Sequence, residues 1–200
     1  MTKLVSSKDF DEIVETLLSG GIVAFPTDTV YGIGVLYSDV EAVKRMKNAK
    51  IRPETKPFPL MVANNKQLNS VAYIGEREKK IVKELTPGAL TLILNKKKKI
   101  SDELTNGLNT IAIRIPDDKF VLKLLRKVGP MFVTSANLSG EPACNTNEEV
   151  MQQLNNRIEM VVKGEAYSHV ASTIIDCTKS ELVVLRQGDV TLEEINAALS

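Results

Sequence analysis

The 200-residue chain has no tryptophan, a single histidine (His169), two cysteines and few rings of any kind, four Tyr and five Phe. One histidine excludes mechanisms that need two. With the cysteines only at 144 and 177, far apart in sequence, no zinc-ligand spacing is present. Both cysteines read as reduced thiols, Cys177 buried in a strand. So few aromatics cannot build a stacking platform for single-stranded nucleic acid. No apolar run reaches the roughly 18 residues of a membrane span, and Met1-Thr2-Lys3-Leu4 lacks the apolar core of a secretion signal. The expectation is a cytoplasmic protein without a membrane partner. A net charge of +1 implies no global attraction to nucleic acid. Two phosphate-binding motifs are also missing. No segment fits G-x-x-x-x-G-K-[ST], and Gly32-x-Gly34 lacks the third glycine of a dinucleotide fingerprint.

What is present describes a folded chain. A hydrophobic content of 43% argues against disorder, and the length allows one domain with a sizeable core. Ser7 is placed to cap a helix with Phe10, Ile13, Val14, Leu17 and Leu18 on one face, stopped by Gly20-Gly21. Ile22–Phe25 is a buried strand, and Asp39 caps a second helix. Strands are further predicted at 58–63, 89–94, 110–115, 131–134, 172–177 and 182–185. Helices are predicted at 65–85 (two, broken near Gly75), 117–128, 146–155 and 191–199. Strands and helices mix without strict alternation, which fits one α/β domain with a mixed, twisted sheet.

Four places could carry chemistry. Pro26 ends the first buried strand, and Thr27, Asp28 and Thr29 then offer three side-chain oxygens, followed by Tyr31, Gly32 and Gly34. These glycines suit either a sharp turn or a close approach to a ligand. Arg114 interrupts the apolar run Ile111–Ile115 and shares a face with Thr110 and Ala112. It belongs either to a polar outer face or to a fork that grips a carboxylate or phosphate at two points. Ser135-Ala136-Asn137-Leu138-Ser139-Gly140 is either an ordinary turn or a loop presenting hydroxyl, amide and N–H groups to an anion. Lys50, Arg52 and Lys56 form either a solvated basic loop or a polyphosphate clamp.

Taken together, Pro26–Gly32, Lys50-x-Arg52, Lys56-Pro57, Thr86–Thr91, Arg114-Ile115-Pro116, Ser135-Ala136-Asn137-x-Ser139-Gly140, Ala171–Asp176 and Leu185-Arg186-x-Gly188, in this order, resemble the YrdC/TsaC family, the threonylcarbamoyl-AMP synthases. The resemblance runs from about residue 8 to 198, so residues 1–200 are expected to form a single YrdC-like domain, similar to the short form of the family. It implies an open, twisted, mixed sheet with flanking helices and a concave basic cavity. It implies that L-threonine, bicarbonate (or CO2) and ATP are joined into threonylcarbamoyl-AMP with release of pyrophosphate. Partner proteins then pass the threonylcarbamoyl group to the adenosine at position 37 of tRNA. Mg2+ is expected with ATP rather than in a cage of protein ligands.

Carried over by resemblance, Thr29 and Ser172 contact threonine and Arg114 binds its carboxylate. Arg52 and Lys56 hold the ATP phosphates with Lys50 nearby. Thr110, Ser135 and Ala143 line the nucleotide with Asn137 beside them, and Arg186 reaches it from a late strand. The catalytic group is expected to be Lys50, Arg52, Ser135 and Asn137. Because an empty cavity leaves Arg114 without its ligand, the fold is expected to tolerate its loss. The chain departs from the family at Met61, where some members carry His, at Ala171, usually Glu, and at Thr134, commonly Pro. Two rivals remain. A double-stranded RNA or tRNA binder without catalysis would use the basic residues at 44–56 and 96–99. The carbamoyl-adenylate domain of hydrogenase maturation shares this fold, but within a much longer chain that has zinc-finger cysteines. His169 is assigned to a surface loop.

Overall fold

The computed structural model describes residues 1–52 and 57–200. In chain order the strands are Lys3–Val5 (β1), Val23–Phe25 (β2), Gly32–Leu36 (β3), Leu60–Met61 (β4), Leu90–Asn95 (β5), Thr110–Arg114 (β6), Met131–Ser135 (β7), Met160–Val162 (β8), Thr173–Asp176 (β9) and Val183–Arg186 (β10). The helices are Phe10–Leu18 (α1), Val40–Ala49 (α2), Asn65–Val71 (α3), Glu76–Leu85 (α4), Lys119–Val128 (α5), Asn147–Leu154 (α6) and Leu192–Ala197 (α7). All the strands join one open, mixed sheet in the order β1-β8-β2-β3-β7-β4-β6-β5-β9-β10. Neighbours β2 and β3, β3 and β7, and β5 and β6 pair antiparallel; β1 and β8, β4 and β6, and β5 and β9 pair parallel. The result is a single α/β domain with helices flanking the sheet.

Strand alternation sorts the core into two layers. Ala24, Ile33, Val35, Leu60 and Phe132 face one cluster with Ala42, Val43 and Met46 of α2 and Ile81 and Val82 of α4. Val23, Phe25, Met61, Met131 and Val133 face the other, covered by Ile13, Val14 and Leu17 of α1 and Val121, Leu124 and Leu125 of α5. Phe10 and Phe120 close that second layer edge to face, 6.1 Å apart. On the other half of the sheet the same face carries Thr91, Ile93, Ala112, Arg114 and Ile174. There it is the floor of a cavity rather than a helix seat.

Several local readings are corrected. The cap of α1 is Asp9, not Ser7, and the Asp9 carboxylate turns back to accept from the Ser6 N–H. The segment 58–63 contributes only the two-residue β4, because Pro59 has no N–H for the ladder. Gly32 and Gly34 do not form a turn but lie within β3. A Cβ at Gly32 would stand 2.8 Å from Val133 Cγ1, and one at Gly34 2.8 Å from Met131 Cε. Close side-chain packing, not backbone freedom, is what favours glycine there. Asp39 caps α2 as the sequence suggested, and Thr146 and Thr191 cap α6 and α7, each of the three accepting a backbone N–H three residues on. Among the described residues no helix is long and apolar enough to cross a membrane.

Candidate functional site

The segment after β2 turns under its own hydroxyls. Thr27 Oγ1 donates to the Val30 carbonyl, accepts from the Thr29 N–H and lies 3.1 Å from Thr29 Oγ1. The carbonyls of Thr27 and Thr29 accept the N–H groups of Tyr167 and His169. His169 has φ +62 and an exposed side chain, so its backbone, not its imidazole, serves the site. Tyr31 donates its hydroxyl to the carbonyl of Val162, and burial raises its pKa well above that of a free phenol. The turn is therefore fixed from three sides and presents Thr27 and Thr29, both buried, to a cavity of about 520 Å³.

Arg114 rises from β6 into this cavity and is 5% exposed. Its Nε donates to the Gly88 carbonyl at 3.1 Å and its Nη1 to Thr29 Oγ1 at 2.7 Å. Its Nη2 lies 2.8 Å from Asp28 Oδ1 as an ion pair, and neither atom has a hydrogen bond elsewhere among the described residues. Burial lowers the guanidinium's pKa, and the Asp28 carboxylate raises it in part. Arg114 is therefore buried and does not belong to a polar outer face.

Beside it, Thr91 and Ser172 share a 2.8 Å hydroxyl contact. Arg186 donates from Nε to the Ser172 carbonyl and from Nη2 to Ser172 Oγ. Partial burial first, and the neighbouring Arg114 second, lower its pKa. A bulge at Leu185 shifts the β9–β10 register, so that adjacent Leu185 and Arg186 both line the cavity. Gly188 makes this corner possible. A Cβ there would fall 2.3 Å from the Ala171 carbonyl oxygen and 2.5 Å from the Thr173 nitrogen.

The opposite wall is the loop after β7. Ser135, Asn137 and Ala143 line the cavity, with Arg52 beyond them. Lys50 does not face the cavity. It is 1% exposed beneath the loop, where its ammonium donates to the carbonyls of Ser135 and Asn137. Burial, then the Arg52 charge, push Lys50 down to about 7. Asn137 closes the loop by donating to the carbonyls of Leu138 and Glu141, each at 2.8 Å. Arg52 donates to the Pro57 carbonyl and lies over the Phe58 ring at 4.8 Å; burial lowers its pKa.

Of the predicted site residues, Thr29, Arg52, Arg114, Ser135, Asn137, Ala143, Ser172 and Arg186 are thus gathered around one cavity. Lys50 supports it from below. Thr110 stands apart at the start of β6, paired with Asn95 four residues from Arg114. Lys56 lies outside the described residues. Thr27 and Asp28, read from the sequence only as side-chain oxygens near a ligand, and Thr91, given no role there, are also contributors, the first and last lining the cavity and Asp28 pairing with Arg114. Met61, Thr134 and Ala171, the three departures, all line the cavity. The two cysteines are buried thiols, with Cys177 just beyond the end of β9; burial raises them to about 11 for Cys144 and about 12 for Cys177.

A cavity with a guanidinium floor, a hydroxyl corner and a loop on its far wall is set on the open mixed sheet of a single α/β domain. The chain belongs to the Sua5/YciO/YrdC family, described as "Telomere recombination", whose pattern matches residues 15–188. It is 39% identical over 183 residues to a threonylcarbamoyl-AMP synthase of Pyrococcus abyssi, covering 90% of this chain and 54% of that one. It is 41% identical over 182 residues to a threonylcarbamoyl-AMP synthase of Bacillus subtilis, covering 89% of this chain and 53% of that one. The crystal structure of P. abyssi Sua5 complexed with L-threonine superposes with a TM-score of 0.94 at 35% identity, over 100% of this chain and 61% of that one. The chain therefore spans about half the length of these curated relatives.

Proposed function

We propose that this protein is a threonylcarbamoyl-AMP synthase, a nucleotidyltransferase that joins L-threonine, bicarbonate or CO2, and ATP. The observation that carries the reading is Arg114. It is a buried guanidinium on a rigid strand, aimed into a cavity whose neighbouring side chains are the hydroxyls of Thr29, Thr91 and Ser172. A guanidinium matches a carboxylate in two-point geometry, and hydroxyls suit the alcohol and amine of threonine. The similarity to a family member crystallised with L-threonine supports the same ligand here.

Threonine's amine and bicarbonate give a carbamate, with loss of water. A carbamate oxygen then bonds to the α-phosphorus of ATP, the bond to the β-phosphate bridging oxygen breaks, and pyrophosphate leaves. Mg2+ enters as part of the Mg–ATP substrate and offsets charge on the phosphates. Arg52, Lys56 and the loop at 135–137 are the groups proposed to hold the nucleotide, with Ala143 and Arg186 beside it. Thr110, at the far end of β6, is proposed to take part only if the nucleotide extends that way. Lys50 keeps the loop's carbonyls turned inward, so that its N–H and hydroxyl groups face the ligand. Little covalent work falls to the protein, and positioning with charge neutralisation accounts for the rate. The product is proposed to serve threonylcarbamoyl transfer to tRNA by partner proteins in the cytoplasm. The non-catalytic RNA-binding alternative is disfavoured because a phosphate-binding surface has no use for a guanidinium 5% exposed at the floor of a cavity. Incubation with Mg–ATP tests the proposal. Pyrophosphate release should require both L-threonine and bicarbonate, and release independent of threonine would reject it.

A further inference from the structure

The ion pair behind the cavity floor has a role that the ligand assignments do not cover. Asp28 Oδ1 and Arg114 Nη2 are 2.8 Å apart, and their side chains are 12% and 6% exposed. The other oxygen, Oδ2, accepts the backbone N–H of Asp117 at 3.0 Å, just before α5. Asp28 is thus anchored from the helix side, and it sits on a turn whose flanking carbonyls are tied to Tyr167 and His169. Arg114 has two other anchors, Gly88 and Thr29. The third contact is different in kind. It joins two opposite charges, and neither atom finds another hydrogen-bond partner among the described residues. A buried guanidinium without a counter-ion would be costly. A buried guanidinium fully paired with a carboxylate would have little left for a ligand.

We propose that Asp28 is a positioning residue for the amino-acid carboxylate, a built-in counter-ion that keeps Arg114 charged and aimed while the cavity is empty, and that weakens the site's hold on the incoming carboxylate. The inference rests on the reading of the cavity as a threonine site. Its physical content is a competition. When a substrate carboxylate arrives it shares the guanidinium with Asp28 and feels the like charge behind it. The cavity therefore folds without ligand and releases its amino acid readily. Without the Asp28 charge, the ligand becomes the sole counter-ion of Arg114. The empty protein should then be less stable and the carboxylate ligand more strongly bound.

The test uses the full chain, with binding measured by calorimetry and stability by thermal melting, for wild type, Asp28→Asn and the double variant Asp28→Asn/Arg114→Gln. The probes are L-threonine and L-threonine amide, which lacks the carboxylate. Wild type should bind L-threonine. Asp28→Asn should melt lower when empty and bind L-threonine about tenfold more tightly, the scale of one neighbouring like charge in a protein environment. Affinity for the amide, which keeps the cationic amine and lacks the carboxylate, should not rise, so the gain is specific to the carboxylate. The double variant should melt above Asp28→Asn, because removing the stranded guanidinium relieves the uncompensated charge. That comparison holds even where Asp28→Asn is too unstable to titrate. Unchanged or weaker threonine binding by Asp28→Asn, or a double variant that melts no higher than the single one, overturns the counter-ion role. Failure of wild type to bind threonine at all overturns the threonine reading instead.

Discussion

Replacing Arg114 by alanine separates catalysis from stability. The side chain is 6% exposed and serves two carboxylates, the proposed one of threonine and that of Asp28. Losing one partner of a desolvated charge pair costs about 2–5 kcal/mol, so kcat/KM for threonine should fall roughly 30-fold to several thousand-fold. The expectation that the fold would not notice is corrected by the structure. Alanine would leave the Asp28 carboxylate, 12% exposed, without its cation. Stranding a buried charge costs about 3–5 kcal/mol, or roughly 6–20 °C in melting temperature for a chain of this size. Arg114→Lys tells the two effects apart. An ammonium still neutralises Asp28 and should restore most of the stability. It cannot reproduce the fork and should restore only part of kcat/KM. The assay is pyrophosphate release against threonine concentration at saturating ATP and bicarbonate, with melting curves for each variant. Near-normal kinetics for threonine in Arg114→Ala would refute the carboxylate assignment, whatever happened to the melting temperature.

Arg52→Ala should raise KM for ATP with threonine kinetics little changed, and a large melting drop with normal ATP use would make Arg52 structural instead. Gly188→Ala should lower kcat/KM at least about tenfold, because backbone atoms of Ala171–Thr173 lie within 2.3–2.7 Å of the new Cβ and Ser172 must move with them. Lys50 gives a pH effect of defined sign. Its folded pKa of about 7 lies below the ordinary 10.5 of the unfolded chain, so between those values the unfolded state binds more protons and stability rises with pH. Chemical denaturation from pH 7 to 10 should show wild type gaining on Lys50→Met across that window; parallel curves would refute the burial account of Lys50.

The parts of the site legible in the sequence were those announced locally. Arg114 stood out because one charge in an alternating apolar strand must be answered by something. Ser135 and Asn137 stood out because Ser, Asn and Gly cluster where a strand ends. What tertiary packing decides was not legible. Asp28 is 86 residues from Arg114, and nothing in its own neighbourhood says which cation it meets. Lys50 looked like one more member of a basic run, yet its ammonium is spent on two carbonyls of the loop it supports. The strand β3 was hidden by its glycines, which look like a turn in one dimension and are contacts in three. The edge strand β1 and its neighbour β8 have three residues each, too few to show a period. The Leu185 bulge that brings Arg186 to the cavity leaves no mark in a single sequence.

The central claim is that this cavity joins threonine, bicarbonate and ATP, and one measurement tests it most directly. Purified protein is given Mg–ATP and bicarbonate with and without L-threonine, and both pyrophosphate and the adenylate product are followed. The account predicts pyrophosphate released in step with a threonine-containing adenylate, one for one, only when all three substrates are present. Release of pyrophosphate without threonine, or none with all three present, would contradict it.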